Sequence, residues 1–151
     1  MGSIKDSLTF DDVSLVPQQS SVVPNETITK ITLHKKLNLK IPLISSAMDT
    51  VTESKMAIAI AKMGGIGVVH RNLSADMQVS EIKKVKKANF LVGAAIGVNN
   101  NDLDRAKKLI EAKVDMIVID TAHGHTQKVS KMIYKVKKIT KKIPLCAGNI
   151  A

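Results

Sequence analysis

A chain of 151 residues, 44% of them apolar, can form one domain with a sizeable core or part of a larger one. Two Phe, one Tyr and no Trp leave an aliphatic core, the kind found where helices cover parallel strands. The formal charge of +10 raises phosphate or nucleic-acid binding, while the single cysteine excludes an internal disulfide and a cysteine-rich metal site.

Residues 1–40 show no repeat. Leu8 to Pro17 reads as a short extended piece closed by proline, Gln18 to Glu26 as a polar loop, and Ile28 to Leu39 as a weak alternation suited to a hairpin. This arm is expected to cover one end of the domain. The N-terminus lacks the apolar core of a signal peptide, and no apolar run approaches the roughly 20 residues that span a bilayer. With one cysteine as well, the expectation is a soluble cytoplasmic protein without membrane contact.

From Ile41 the pattern becomes regular. A strand is predicted over Ile41 to Ser45, then a helix from Glu53 to Met63 stopped by Gly64-Gly65, and a strand from Ile66 to His70. Ser74 caps a second helix running to about Lys87; a strand follows from Phe90 to Ile96, then a helix from Asp102 to Ala112. A strand at Met116 to Ile119, a helix at Gln127 to Thr140 and a strand at Pro144 to Ala147 complete the series. Crossovers this short imply parallel neighbours, in either a doubly wound sheet or a (β/α)8 TIM barrel. Polar residues follow every predicted strand end, at Ser45 to Asp49, His70 to Asn72, Gly97 to Asn99, Asp120 to His125 and Gly148-Asn149. A ring of such loops favours the barrel, because an open sheet concentrates its site at one switch point. A whole barrel needs about 250 residues, so the chain would supply an N-terminal arm and about five strands.

The organising stretch is Ile41 to Glu53, an apolar run that ends in hydroxyls and a carboxylate before a helix begins. Asp120 stands where its strand emerges, and could accept two hydrogen bonds from a ribose diol or simply cap the next turn. His123 and His125 have a spacing that suits a metal but lack a third ligand nearby. Gly64-Gly65-Ile66-Gly67 follows a helix, not a strand, so it reads as a helix stop and not as a dinucleotide fingerprint. Gly97 could let a ligand approach the backbone. Cys146 sits in a buried-strand pattern with no activating neighbour and reads as a structural thiol. The lysines recur at helical spacing without aromatic residues between them, which suits solvated faces and disfavours nucleic acid.

Six motifs in order, LTFDDVSLVP (8–17), IPLISSAMDTVTE (41–53), GGIGVVHRN (64–72), VGAAIGV (92–98), VDMIVIDTAHGHT (114–126) and AGNIA (147–151), resemble the inosine-5′-monophosphate (IMP) dehydrogenase / GMP reductase family. The SSAMDTVTE and DTAHGH forms resemble the dehydrogenase more closely. The resemblance implies NAD-dependent oxidation of IMP to xanthosine 5′-monophosphate through a covalent cysteine intermediate, in guanine nucleotide synthesis. It also implies Ser46, Met48 and Asn149 at the IMP site, Asp120, Thr121 and Ala122 at the NAD site, and Asn99 near the adenine.

The resemblance further implies a potassium ion and a homotetramer for the full protein. The family's catalytic cysteine loop, potassium loop, phosphate-binding glycines and flap arginine match nothing in this chain. No catalytic or metal-binding residue is therefore expected in it, and the rest of the barrel, as a second chain or otherwise, is the expected partner. Most members carry a pair of cystathionine-β-synthase (CBS) modules between the second helix and third strand; residues 87–90 leave no room for them. Lys113 replaces the glycine usual after the third helix, which should cost roughly 1 kcal/mol if the position is left-handed. GMP reductase and a catalytically inactive nucleotide-binding fragment are the alternatives.

Overall fold

The computed structural model describes residues 8, 9 and 11–150. Phe10 of the first motif and Ala151 of the last lie outside the described residues. A short 3-10 turn at Pro24–Glu26 precedes an antiparallel hairpin of β1 (Ile31–His34) and β2 (Leu37–Leu39). Then come β3 (Ile44–Ser45), α1 (Ser54–Lys62), β4 (Ile66–Val69), α2 (Ala75–Lys87), β5 (Val92–Ile96), α3 (Asp102–Glu111), β6 (Met116–Asp120), α4 (Gln127–Ile139) and β7 (Leu145–Gly148). The described part of residues 8–17 contains a turn and no strand, so the extended piece expected there forms no ladder.

The five strands β3 to β7 form one parallel sheet whose order follows the sequence. A doubly wound sheet reverses at a switch point, and this one does not; the chain is part of a (β/α)8 barrel. The hairpin foreseen near Ile28 to Leu39 forms, and its Leu37 and Leu39 are buried against Ile66 and Met116, the first residues of β4 and β6. It thereby seals the N-terminal end of the concave face. The convex face holds the main core: Val69, Ala94, Ile96, Ile117 and Ile119 from the sheet meet Ile82, Val85, Leu109, Val129, Met132 and Val136 from the helices. Each fully buried Val, Leu, Ile or Met among them contributes about 1.5–3 kcal/mol.

Local signals explain most boundaries. Ser74 Oγ accepts the Met77 N–H at 3.2 Å and Thr126 Oγ1 the Val129 N–H at 3.3 Å, so both helices start with a side-chain cap. Gly64 ends α1 in the left-handed region at φ 98, and a Cβ there would lie 2.5 Å from the Lys40 Cβ. Lys113, at φ 63, does adopt the strained left-handed position anticipated from its place after α3, and Asn89 does the same after α2 at φ 60. The first barrel strand is shorter than its apolar run: Pro42 has no N–H, and the Leu43 N–H turns back to Ile41 O at 2.9 Å. The ladder therefore begins at Ile44, opposite Ile66.

Candidate functional site

The C-terminal ends of β3, β6 and β7 converge on one cavity of about 630 Å³ on the concave face. Its base is apolar, with Leu37, Val68, Met116 and Val118, and its rim carries Ser45, Ser46, Met48, Asp120 and Asn149. Four of the seven residues singled out as ligand contacts thus meet here. Met48 is 56% exposed, which leaves its thioether free to cover a flat ligand. Thr121, Ala122 and Asn99 do not line this cavity.

Backbone bonds hold the rim. The Thr121 hydroxyl and N–H both donate to Gly148 O, at 2.7 and 3.0 Å. The Asn149 N–H donates to Thr121 O at 2.7 Å and the Gly124 N–H to Asn149 O at 2.6 Å. The loop after β6 is therefore laced to the loop after β7 without using the Asp120 carboxylate. On the other side Thr52, fully buried, donates its hydroxyl to Ser46 O at 2.5 Å and lies 3.0 Å from the Ser45 hydroxyl. Asp49 accepts the Asn72 amide at 2.9 Å, tying the β3–α1 loop to the β4–α2 loop. Asp49 thus organises the loop and does not line the cavity.

A second polar junction lies beneath the mouth, between β4, β5 and α3. The fully buried Gln78 amide donates to Val69 O at 3.2 Å and Ala95 O at 2.8 Å, and accepts from Arg105 Nη1 at 2.8 Å. Arg105 Nη2 donates to Leu73 O at 2.9 Å and its Nε lies 3.6 Å from Asp102 Oδ1. Asp102 Oδ2 accepts the Asn99 N–H at 2.9 Å. Gly97 packs tightly against this junction, because a Cβ there would sit 2.7 Å from Asp102 Oδ2 and 3.2 Å from Arg71 Nη1. Asn99 itself faces a different cavity, beside α4.

Thr52, Gln78, Asp102 and Arg105 are not foreseen as site residues from the sequence. One signal was present: Gln78, Ile82 and Val85 share the buried face of α2, and a polar side chain at a core position needs partners. Cys146 is a correction. Its thiol is exposed, not buried, because β7 is a sheet edge and nothing among the described residues covers its concave side. His123 and His125 have ring centroids 6.4 Å apart, and among the described residues no three His, Cys, Asp or Glu group closely enough to hold a metal. No helix among them is long and apolar enough to cross a membrane.

Comparison with known proteins adds three findings. A family profile described as "IMP dehydrogenase / GMP reductase domain" matches residues 7–151. Proteins named inosine-5′-monophosphate dehydrogenase are similar to the chain, at 39% identity from Borreliella burgdorferi, 38% from Cryptosporidium parvum and 26% from Bacillus subtilis. These matches cover 97%, 98% and 97% of the chain but 48%, 47% and 56% of the relatives. The chain thus spans about half the length of the curated relatives it matches. The Bacillus subtilis alignment extends over 275 positions against a chain of 151 residues, so that relative holds a long segment with no counterpart here.

Proposed function

The chain belongs to the IMP dehydrogenase / GMP reductase family, and from that premise we propose that it supplies part of the IMP and NAD sites of an IMP dehydrogenase. The observation that carries this is the meeting of Ser46, Met48, Asp120 and Asn149, from three separate strand ends, on one cavity. Ser46 offers a hydroxyl and Asn149 an amide to the nucleotide, and Met48 covers the purine. The Asp120 carboxylate, on the cavity rim and free of the bonds that lace its loop, suits a ribose diol of NAD. Thr121 has its hydroxyl and N–H committed to Gly148, so it holds Asp120 in place. Ala122 is exposed beside it, and Asn99, outside the cavity, can meet only the far, adenine end of the dinucleotide.

Bound NAD supplies the hydride acceptor for oxidation of IMP to xanthosine 5′-monophosphate. The cysteine that attacks the purine C2, the arginine that activates water and the potassium site would belong to the remainder of the barrel. That remainder is the proposed partner, within a cytoplasmic homotetramer. The long segment of the Bacillus subtilis relative without a counterpart here supports the absence of the CBS modules.

Titration of the full chain with IMP and with NAD tests the binding role. IMP should bind, and Asp120→Ala should weaken NAD without weakening IMP; no IMP binding, or equal losses for both, would overturn the assignment. The chain alone should form no NADH from IMP and NAD, and measurable NADH would refute that. In the assembled protein, NAD-dependent oxidation of IMP against NADPH-dependent deamination of GMP separates the dehydrogenase from GMP reductase.

A further inference from the structure

The chain's positive charge is not evenly spread. Four of the six lysines of α2 and α3 have acidic partners: Lys84 pairs with Glu81, Lys86 with Asp115 at 2.8 Å, Lys107 with Asp104 at 2.8 Å and Lys108 with Asp76 at 2.7 Å. Residues 121–151, in contrast, hold seven lysines and no Asp or Glu. Lys128, Lys131 and Lys135 follow one another at three- and four-residue spacing along α4, where like charges repel. All three are exposed. Together with Asn99 and Asn100 of the β5–α3 loop they line a cavity of about 420 Å³, with Met132 at its base.

We propose that this cavity, beyond the one at the barrel mouth, is a binding site for a polyphosphate group, which would compete at Asn99 with the adenine end of NAD. Three ammonium groups without carboxylate partners among the described residues supply charge-assisted donors for phosphate oxygens, and the two asparagines add neutral amide donors. Lys128 to Lys135 spans about 10 Å along the helix, more than one phosphate reaches, so linked phosphates fit better than inorganic phosphate. No aromatic side chain lines the cavity for a base to stack on: Tyr134, the aromatic side chain of α4, lies outside it, with Lys138 Nζ 4.5 Å from its ring centre. This favours a small ligand over a single-stranded nucleic acid. The phosphates could belong to a nucleoside polyphosphate or to free polyphosphate, which share the recognised chemistry.

Calorimetric titration of the full chain with tripolyphosphate, ATP and inorganic phosphate tests the site, with circular dichroism confirming that each variant is folded. Tripolyphosphate or ATP should bind once per chain, and inorganic phosphate at least about tenfold more weakly. The variant Lys128→Ala/Lys131→Ala/Lys135→Ala should lose about tenfold or more in affinity. Lys137→Ala/Lys141→Ala/Lys142→Ala removes the same charge away from the cavity and should stay within about threefold of the parent. Binding should also shift the amide resonances of Asn99 and Asn100. ATP binding more tightly than tripolyphosphate would point to a nucleoside source, and equal affinities to bare polyphosphate; either supports the site. Absence of saturable binding, equal losses in the two lysine variants, or ATP binding abolished only by Asp120→Ala would overturn it.

Discussion

Replacing Gln78 with Met keeps the volume of a fully buried side chain and removes a junction of three hydrogen bonds. Val69 O and Ala95 O lose their amide donor, and Arg105 Nη1 loses its acceptor. A neutral hydrogen bond contributes about 1 kcal/mol and one to a charged group about 1.5–3 kcal/mol, so the three together come to about 3–5 kcal/mol. The Arg105 side chain is 17% exposed and can regain part of its loss from water, which places the expected cost near 3 kcal/mol. That is a large share of the roughly 5–15 kcal/mol that holds a domain folded. Urea unfolding followed by circular dichroism should show the midpoint falling at unchanged slope. Arg105→Met should cost less, since Gln78 keeps both carbonyl contacts, and the double variant should cost about 1 kcal/mol less than the two losses added. A loss below about 1 kcal/mol for Gln78→Met, or strict additivity, would refute the view that this amide joins β4 and β5 to α3.

Three further outcomes follow from other parts of the structure. Lys113→Gly removes a side chain from the left-handed region and should add about 1 kcal/mol, a rise of roughly 2–4 °C in Tm; Asn89→Gly should gain less, because Asn tolerates that region. Burial pushes the Glu81 carboxyl up, but hydrogen bonds from Lys84 and the Ser54 N–H, with the attraction of Lys84, hold it below its ordinary value of 4.5. Its contribution is therefore complete above that value and lost as pH falls through the lower folded one, so Glu81→Gln should flatten the loss of stability in acid unfolding below pH 4.5. Cys146, the chain's sole thiol and exposed, should react readily with a thiol reagent, and saturating IMP should slow the reaction because Cys146 lines the cavity with Ser46 and Met48. An unchanged labelling rate would place the nucleotide elsewhere.

What could be read in advance was what depends on near neighbours. Ser74 before an amphipathic run marks a cap wherever the helix later packs, and Gly64 marks a helix stop for the same local reason. Strand ends were legible as switches from apolar to polar residues, which marked the loops that hold Ser46, Asp120 and Asn149, while the family resemblance singled out Ser46 and Asn149 within them. Hidden were contacts across long stretches of chain and positions around the sheet's curve. Arg105 reaches Leu73 across 32 residues and Gln78 across 27, and nothing local announces either. Asn99 follows a strand just as Asp120 does, yet the turn that the Asp102 carboxylate imposes sends it outward toward α4. Cys146 was misread because an apolar run shows that a strand packs on one face and says nothing of whether its other face is covered.

The sheet order carries a consequence for how the chain is made. Each barrel strand pairs with the strand just before it in sequence: Ile44 meets Ile66, Gly67 meets Val92, Gly93 meets Met116 and Ile117 meets Leu145. Among these five strands no pairing has to wait for a distant segment, so loop-closure entropy stays low at each of these steps. During synthesis each β–α unit can dock as it emerges from the ribosome, onto an edge already in place. The hairpin, made first, then acts as the foundation against which the later strands find their register.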